Sequence, residues 1–538
     1  MLYVGTSAPA FACCSHPPFY GSQIGSEAIV RALLQASSVY EITLFALNEQ
    51  HARLVRGHLD AQTPSRPRVH VQLMAALPNV IGHDRLDAYL HCDMGPRLLE
   101  VHRLRQQLGG RVRIIGYAHA LSSTDVVDSL HDLLSCQLRY DDCLLTSSTA
   151  ATASLRKLIR VLEPENPHAY DFLIYKCPIP VDAERFSPGS RKFSRLRLGF
   201  SQSEFILLGV GRLDNYYKQD IDPVLEVVQR VIKKGGRDLR LVLAGSCERA
   251  HERLIREMIC RRRMESSVTL LTNLPEDVKP VLFQCADLFL APYDSIQESY
   301  GISVVEAMAA GLPVVAANWD GLRETVVHGQ TGFLVDTYLP STISIQLATN
   351  ADSQSHLVQG QVTALDLQQM GRYISDLMES IPMRKALGTA GRKRVSQFYD
   401  IPSCTASLDA ILTNNTPAMP QGVHGVPPGQ GRDMNFLDAF SHYASHYVDS
   451  ATLVRRGLRQ VDWSDSWILA MREKSWPFGD RKAIIELLEA SSSTPTTIAQ
   501  LARGTSEEPS IGWGATCCWL LKHGYLEVAP GLGANPSS

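Results

Sequence analysis

The chain of 538 residues has no apolar run of membrane-spanning length, so its hydropathy excludes a helical span. It also has no excess of one charge. Its 52 basic and 55 acidic side chains leave a formal net charge of −3, which is not the balance of a nucleic-acid binder. Twelve cysteines are scattered, and they adjoin only at Cys13-Cys14 and Cys517-Cys518, neither with the spacing of a zinc knuckle. The opening Met1-Leu-Tyr-Val lacks the basic flank of an export signal. Free thiols in a reducing cytoplasm are the expectation, with a peripheral membrane position as the variant. A local cluster, Arg97, Arg103, Arg105, Arg111 and Arg113, reads as a solvated helix face before it reads as a surface for an anionic acceptor or membrane.

What is present is ordinary globular composition, 45% hydrophobic and 20% charged, in a chain too long for one core. Apolar runs of strand length alternate with amphipathic stretches, the pattern of βαβ units and a parallel sheet. A first set of strands is predicted at Glu41–Leu47, Val69–Met74, Asp87–Leu90, Arg113–Tyr117 and Asp142–Ser147. A second set is predicted at Phe205–Gly211, Leu239–Gly245, Val268–Leu271, Leu288–Ala291, Pro313–Ala316 and Gly332–Val335. The fold class is therefore α/β, with two doubly wound, Rossmann-like domains facing a cleft and joined near Pro180–Pro188. The expected boundaries are 1–180, 181–390, a closing helix 391–413, a linker 414–432 rich in Pro, Gly and Asn, and an accessory domain 433–538. In the last of these, Met434–Val448 has helical spacing, and Gly479–Ala490, Thr496–Arg503 and Trp513–Leu521 read as three short helices.

Glu298-Ser-Tyr-Gly-Ile-Ser-Val-Val-Glu306 places two carboxylates eight residues apart, with Gly301 between them and a helix-forming run around the second. A helix that opens at a glycine turn offers free N–H groups and the positive end of its dipole to a phosphate. Carboxylates on either side can accept hydrogen bonds from sugar hydroxyls, so the arrangement suggests a pocket for an activated sugar.

From Glu298 through Val335 the sequence resembles the C-terminal half of a family-4 retaining glycosyltransferase of GT-B architecture, with its Glu-x7-Glu motif. Three further segments match in the family's order. Ile179-Pro-Val-Asp-Ala-Glu-Arg-Phe-Ser-Pro188 is similar to the interdomain segment. Gly209-Val-Gly-Arg212-Leu with Lys218 is similar to the diphosphate clamp, and Leu144-Leu-Thr-Ser-Ser148 to the strand end closing the first domain. Three helices closed by His523-Gly-Tyr-Leu-Glu-Val528 resemble a winged-helix module.

The resemblance implies a transferase that moves a sugar from a nucleotide-sugar donor with retention, needing neither cofactor nor metal. Glu298 would contact sugar hydroxyls beside the reacting carbon, and Glu306 would accept the ribose hydroxyls. Arg212 and Lys218 would stabilise the leaving phosphate. Backbone amides of Tyr300, Gly301, Ile302 and Ser303 would hold the phosphates, Ser299 would belong to the donor site, and Asn273 and Leu274 would lie by the base. Gly25, in a glycine loop preceding a helix, would approach the diphosphate, with Ser26 as an alternative helix cap. His119 would touch donor sugar or acceptor. Asp220-Ile-Asp222 has the form of a metal motif, but Asp222 before Pro223 is better read as a helix N-cap. The alternative function is a sugar-nucleotide-sensing regulator or scaffold. Its accessory domain would bind DNA or protein, and the mixed charge of 479–529 favours a protein partner or self-association over DNA. A phosphorylase would need a cofactor lysine motif, which the sequence does not offer.

Overall fold

Runs such as Ile206-Leu-Leu and Val314-Val-Ala-Ala have no polar face to show to water, so they are stable only as strands covered on both sides. The computed structural model places them so. It describes residues 1–8, 21–60, 67–136, 138–163, 170, 173–214, 218–235, 238–341, 353–413, 436–459, 481–506 and 512–529. The expected linker 414–432 lies outside these.

The first sheet contains β1 (Leu2–Ser7), β2 (Val39–Ala46), β3 (Arg68–Leu73), β4 (Ala88–His91), β5 (Arg113–Ala118), β6 (Cys143–Thr146) and β7 (Ile174–Lys176). Their order is 3-2-1-4-5-6-7, every pair parallel. The second contains β8 (Phe205–Val210), β9 (Leu239–Gly245), β10 (Val268–Thr272), β11 (Leu288–Ala291), β12 (Val314–Ala317) and β13 (Gly332–Val335). Its order is 10-9-8-11-12-13, again all parallel. Strands β4, β5, β6, β11 and β12 are buried along their whole length. In both sheets the order reverses next to the first strand, between β1 and β4 and between β8 and β11. Open α/β sheets receive ligands at the carboxyl ends of the strands beside such a reversal.

The expected closing helix 391–413 is two helices. Ile381–Phe398 packs on Ile302–Ala309 in the second domain, and only Ile401–Thr413 returns to lie on Gly21–Leu33. The Asp409 carboxylate fastens the return, accepting the amides of Ser37 (3.0 Å) and Ser38 (3.0 Å) as well as both hydroxyls. Arg113 donates to the carbonyls of Ile411 and Leu412 at the helix end. Arg113 is thus buried, as is Arg105, which pairs with Asp142 at 2.6 Å. The expectation of a solvated arginine face fails at these two positions because buried carboxylate and carbonyl groups claim them.

The extension beyond the return helix is docked. Residues Phe436–Tyr443 form a 3-10 helix, and β16 (His446–Val448) pairs with β14 (Thr337–Pro340), itself paired with β15 (Ala364–Leu365). The helical spacing of Met434–Val448 therefore misleads over its last turn, which is a strand. A final sheet joins β17 (Leu453–Arg456) to β18 (Thr496–Thr497) and β19 (Leu526–Val528), all antiparallel, beside helices Arg481–Ala490, Ile498–Ala502 and Gly512–Lys522. The last of these helices is buried from Ala515 to Lys522 against β14, β15 and the helix Ser353–Val362. No helix among the described residues is long and apolar enough to cross a membrane.

Candidate active site between the two domains

Strand β8 ends at Val210, and the chain turns through Gly211, Arg212 and the buried Leu213. This turn touches the end of β9. A Cβ on Gly245, whose φ is +152°, would stand 1.8 Å from the Gly211 carbonyl oxygen, so only glycine lets the two strand ends meet. Arg212 lies 3.6 Å from the Asp214 carboxylate and faces the cavity beyond. Lys218 reaches the same space with its Nζ 3.7 Å above the Tyr293 ring centroid. It forms an ion pair with Glu298. Burial works against its charge, but Glu298 beside it outweighs this and holds the lysine above its ordinary pKa.

The other oxygen of Glu298 accepts the amides of Gly301 (2.7 Å) and Tyr300 (3.4 Å). Gly301 has φ +86°, and a Cβ there would meet Leu322 at 2.4 Å, which fixes glycine at the helix entry. The helix Ile302–Ala309 then begins. The expected amide nest is therefore divided: Tyr300 and Gly301 serve Glu298, whereas Ile302 and Ser303 belong to the first turn, where N–H groups have no intrahelical acceptor. Both residues line the cavity. Ser303 and Tyr293 share a 2.6 Å hydroxyl bond, and Tyr293 donates to the Val210 carbonyl, tying the helix start to the end of β8.

Side chains of both domains close the space. Ser299 donates to the His119 carbonyl (2.9 Å), Ser148 to the Ser299 carbonyl (2.7 Å) and Tyr300 to the Ile179 carbonyl (2.9 Å). The resulting cavity of about 240 Å³ is lined by Gly21, Ser22 and His119 from one side and Arg212, Lys218, Asn273, Leu274, Lys279 and Glu298 from the other. Burial lowers the His119 pKa to about 4, so the ring is neutral at pH 7. Its Nε2 lies 3.2 Å from the Ser26 hydroxyl, and its Nδ1 meets no partner among the described residues.

Not every predicted residue lies where the resemblance implied. Glu306 does not face this cavity but an adjoining hollow of about 190 Å³, behind Lys279, whose Nζ is 2.8 Å from its Oε1. Its other oxygen is buried and meets no partner among the described residues, and burial raises the Glu306 pKa against the pull of Lys279. Asn273 uses its side chain to bridge the backbone of Cys247 (3.0 and 3.1 Å). The expected glycine loop is already helical from Gly21, so Ser26 is not a cap but donates within the helix to Ser22 (2.8 Å). Gly25 is packed against His119: a Cβ there would lie 2.8 Å from the ring. Asp222 is no cap either, being ion-paired with Arg262 (2.6 Å) and Arg459 and lying 3.3 Å from His523. Asp220 accepts from Gln361 at 2.8 Å. Sequence reasoning missed Lys279, Gln297, Tyr293 and Asp320. Tyr293 follows the buried strand β11 and could have been found at its carboxyl end, whereas nothing local marks Lys279. Asp320 is 2% exposed, and burial and then Glu298 push its pKa well above the carboxylate range.

Residues 190–359 match the family model of glycosyl transferases group 1. Over much the same scale, the chain is 31% identical across 160 residues to the D-inositol 3-phosphate glycosyltransferase of Pseudarthrobacter chlorophenolicus, covering 30% of this chain and 37% of that one. With the enzyme of the same name from Nocardia farcinica it shares 33% across 162 residues, 29% and 35% of the two chains. The chain thus spans little more than a third of the length of these curated relatives. Among solved structures, Anabaena Alr3699/HepE in complex with UDP superposes with a TM-score of 0.54 at 16% identity, over 77% of this chain and all of that one. A glycosyltransferase from Rickettsia africae gives 0.55 at 13% identity, over 77% and 99%. These likenesses establish the fold: two Rossmann-like domains in the GT-B arrangement.

Proposed function

We propose that the chain is a glycosyltransferase that takes a sugar from a nucleotide-sugar donor, retains its anomeric configuration and uses no metal. One observation carries the reading. Arg212, Lys218, Glu298 and the first-turn amides of Ile302 and Ser303 converge on one cavity between the domains, at the strand ends where a diphosphate would sit. The match of residues 190–359 to glycosyl transferases group 1 and the UDP held by a structure of the same fold support it.

Cleavage of a sugar–phosphate bond builds charge on the departing oxygen. Lys218 and Arg212 are fixed cations for that charge, and each such donor contributes about a hundredfold or more to rate. Glu298 is placed to accept from sugar hydroxyls once Lys218 turns to phosphate. Glu306, in the adjoining hollow that shares Ile24, Glu276 and Ile302 with the cavity, would accept the ribose hydroxyls. Neutral His119 would contact the sugar or acceptor without serving as an obligatory base. Retention rests on the likeness of Glu298–Ala316 to the family-4 motif. The absence of a metal step is supported by Asp220 and Asp222, whose carboxylates are spent on Gln361, Arg262, Arg459 and His523. A cytoplasmic location accords with this substrate class. DNA reading through the extension is disfavoured, because its third helix faces inward.

The test is a panel of UDP-, GDP- and ADP-sugars, read by thermal shift and by donor hydrolysis. Stabilisation and slow hydrolysis with one base and one sugar are expected. Failure of all to bind would overturn the reading.

A further inference from the structure

We propose that Lys522, on the extension, is a positioning residue for the reaction: through Asp294 it fixes the two loops that carry Lys218 and Glu298. The proposal rests on the reading of the cavity as a nucleotide-sugar site.

Lys522 ends the helix Gly512–Lys522 and is 1% exposed. Its ammonium pairs with Asp294 and donates to the carbonyls of Gly360 (2.7 Å) and Thr363 (3.3 Å), so all three protons are used inside the second domain. Asp294 is equally buried and stands at the crossing of two loops. Its amide donates to the Lys218 carbonyl and its carboxylate accepts the Asp220 amide, each at 3.4 Å. Its neighbour Tyr293 lies under the Lys218 ammonium. On its other side, the Ser295 carbonyl accepts the Glu298 amide (3.2 Å) and the Trp319 indole (3.1 Å). Asp294 therefore joins, by its amide and its carboxylate together, the backbone that presents the phosphate cation to the backbone that presents the sugar-side acid.

A buried ion pair is a poor source of stability, because desolvation cancels most of its Coulomb gain, and an apolar pair of equal volume does as well or better. What it supplies is direction: three fixed bonds allow one placement of Asp294. Around it His523 lies between Asp222 and Gln361, and Arg459 pairs with Asp222, so the extension grips the same loop and helix start from several points. None of these groups touches the cavity, and Lys522 acts only through Asp294.

The experiment compares the full chain with K522M, D294N and K522M/D294N. The double variant removes both charges, so no buried ion is stranded, and D294N is isosteric. For each, Tm is measured, then kcat and KM with the preferred donor. Affinity is measured for whichever of UDP, GDP and ADP the unaltered chain binds, and for its monophosphate. The expected result is a folded double variant with unchanged monophosphate affinity. Weaker diphosphate binding and a kcat lower by tenfold to a hundredfold accompany it, the usual effect of an ångström-scale displacement. Unchanged kcat and diphosphate affinity in the folded variants would overturn the proposal. So would an equal loss for both nucleotides that follows the folded fraction. If the unaltered chain binds none of the nucleotides, the site reading itself fails, and the positioning role with it.

Discussion

Lys218 and Glu298 pair with each other in the free chain, so under the proposed function a donor diphosphate would have to draw the lysine from its carboxylate and leave Glu298 free for sugar hydroxyls. Replacing Lys218 by Ala should lower turnover by about a hundredfold or more. It should cost about 3 kcal/mol of stability, the low end for a carboxylate left without its cation, because Glu298 keeps the amides of Gly301 and Tyr300. Steady-state kinetics beside a denaturant titration check this; full turnover in a folded variant would remove Lys218 from the mechanism. Gly301→Ala should be folded but less stable by about 1–3 kcal/mol, since φ +86° and the Leu322 methyl both oppose a side chain. A lower Tm with reduced donor affinity is the readout, and an unaltered Tm would contradict the geometry. These residues were legible in sequence because a charge or glycine just past an apolar strand has few other uses. Lys279 and Asp294 were not, since a partner twenty-seven or 228 residues away leaves no local pattern.

Strands of the second domain were legible to within a residue or two, because runs such as Leu239–Gly245 are largely apolar and end at a turn. The failures share a cause: tertiary burial overrode local signals. Gly21-Ser-Gln-Ile-Gly25 reads as loop, yet it is helix, since Ile29, Val30 and Leu33 on the same element are buried. The segment 391–413 reads as one amphipathic helix, but it breaks at Tyr399–Asp400, where the Val181 amide bonds the Tyr399 carbonyl (2.8 Å) and the chain changes domain. The return helix is held at one end by Asp409. Asp409→Ala removes acceptors for two amides and two hydroxyls, at a net cost of about 1–2 kcal/mol. Hydrogen exchange should then rise in Ile401–Thr413 and Gly21–Leu33 before the second sheet. Uniform protection would show that this contact is not what holds the helix.

At the scale of the whole molecule, the extension bridges what the cleft separates. Residues Phe436–Tyr443 receive Lys157 of the first domain on the Asp438 carbonyl and Ser441, while Arg323 of the second donates to the His442 and Tyr443 carbonyls. Further along, β16 completes a sheet with β14, and Arg459, Lys522 and His523 meet Asp222 and Asp294. Structures of the same fold superpose on 77% of this chain with all of their own length, so the two-domain arrangement stands elsewhere without such an addition. This chain has instead built its second domain around it. Ending the chain after Thr413 would leave Asp294 without Lys522, Asp222 with Arg262 alone, and the apolar Leu339, Val358 and Leu365 without cover. Each stranded buried carboxylate costs about 3–5 kcal/mol, comparable to the margin of a whole domain. Residues 1–413 should therefore aggregate or be digested at a protease level that spares the full chain, with cleavage starting in the second domain. Adding D294N should recover part of the loss, since a neutral side chain needs no counter-ion. A fragment 1–413 as resistant and as heat-stable as the parent would mean that the extension rests on a domain already complete.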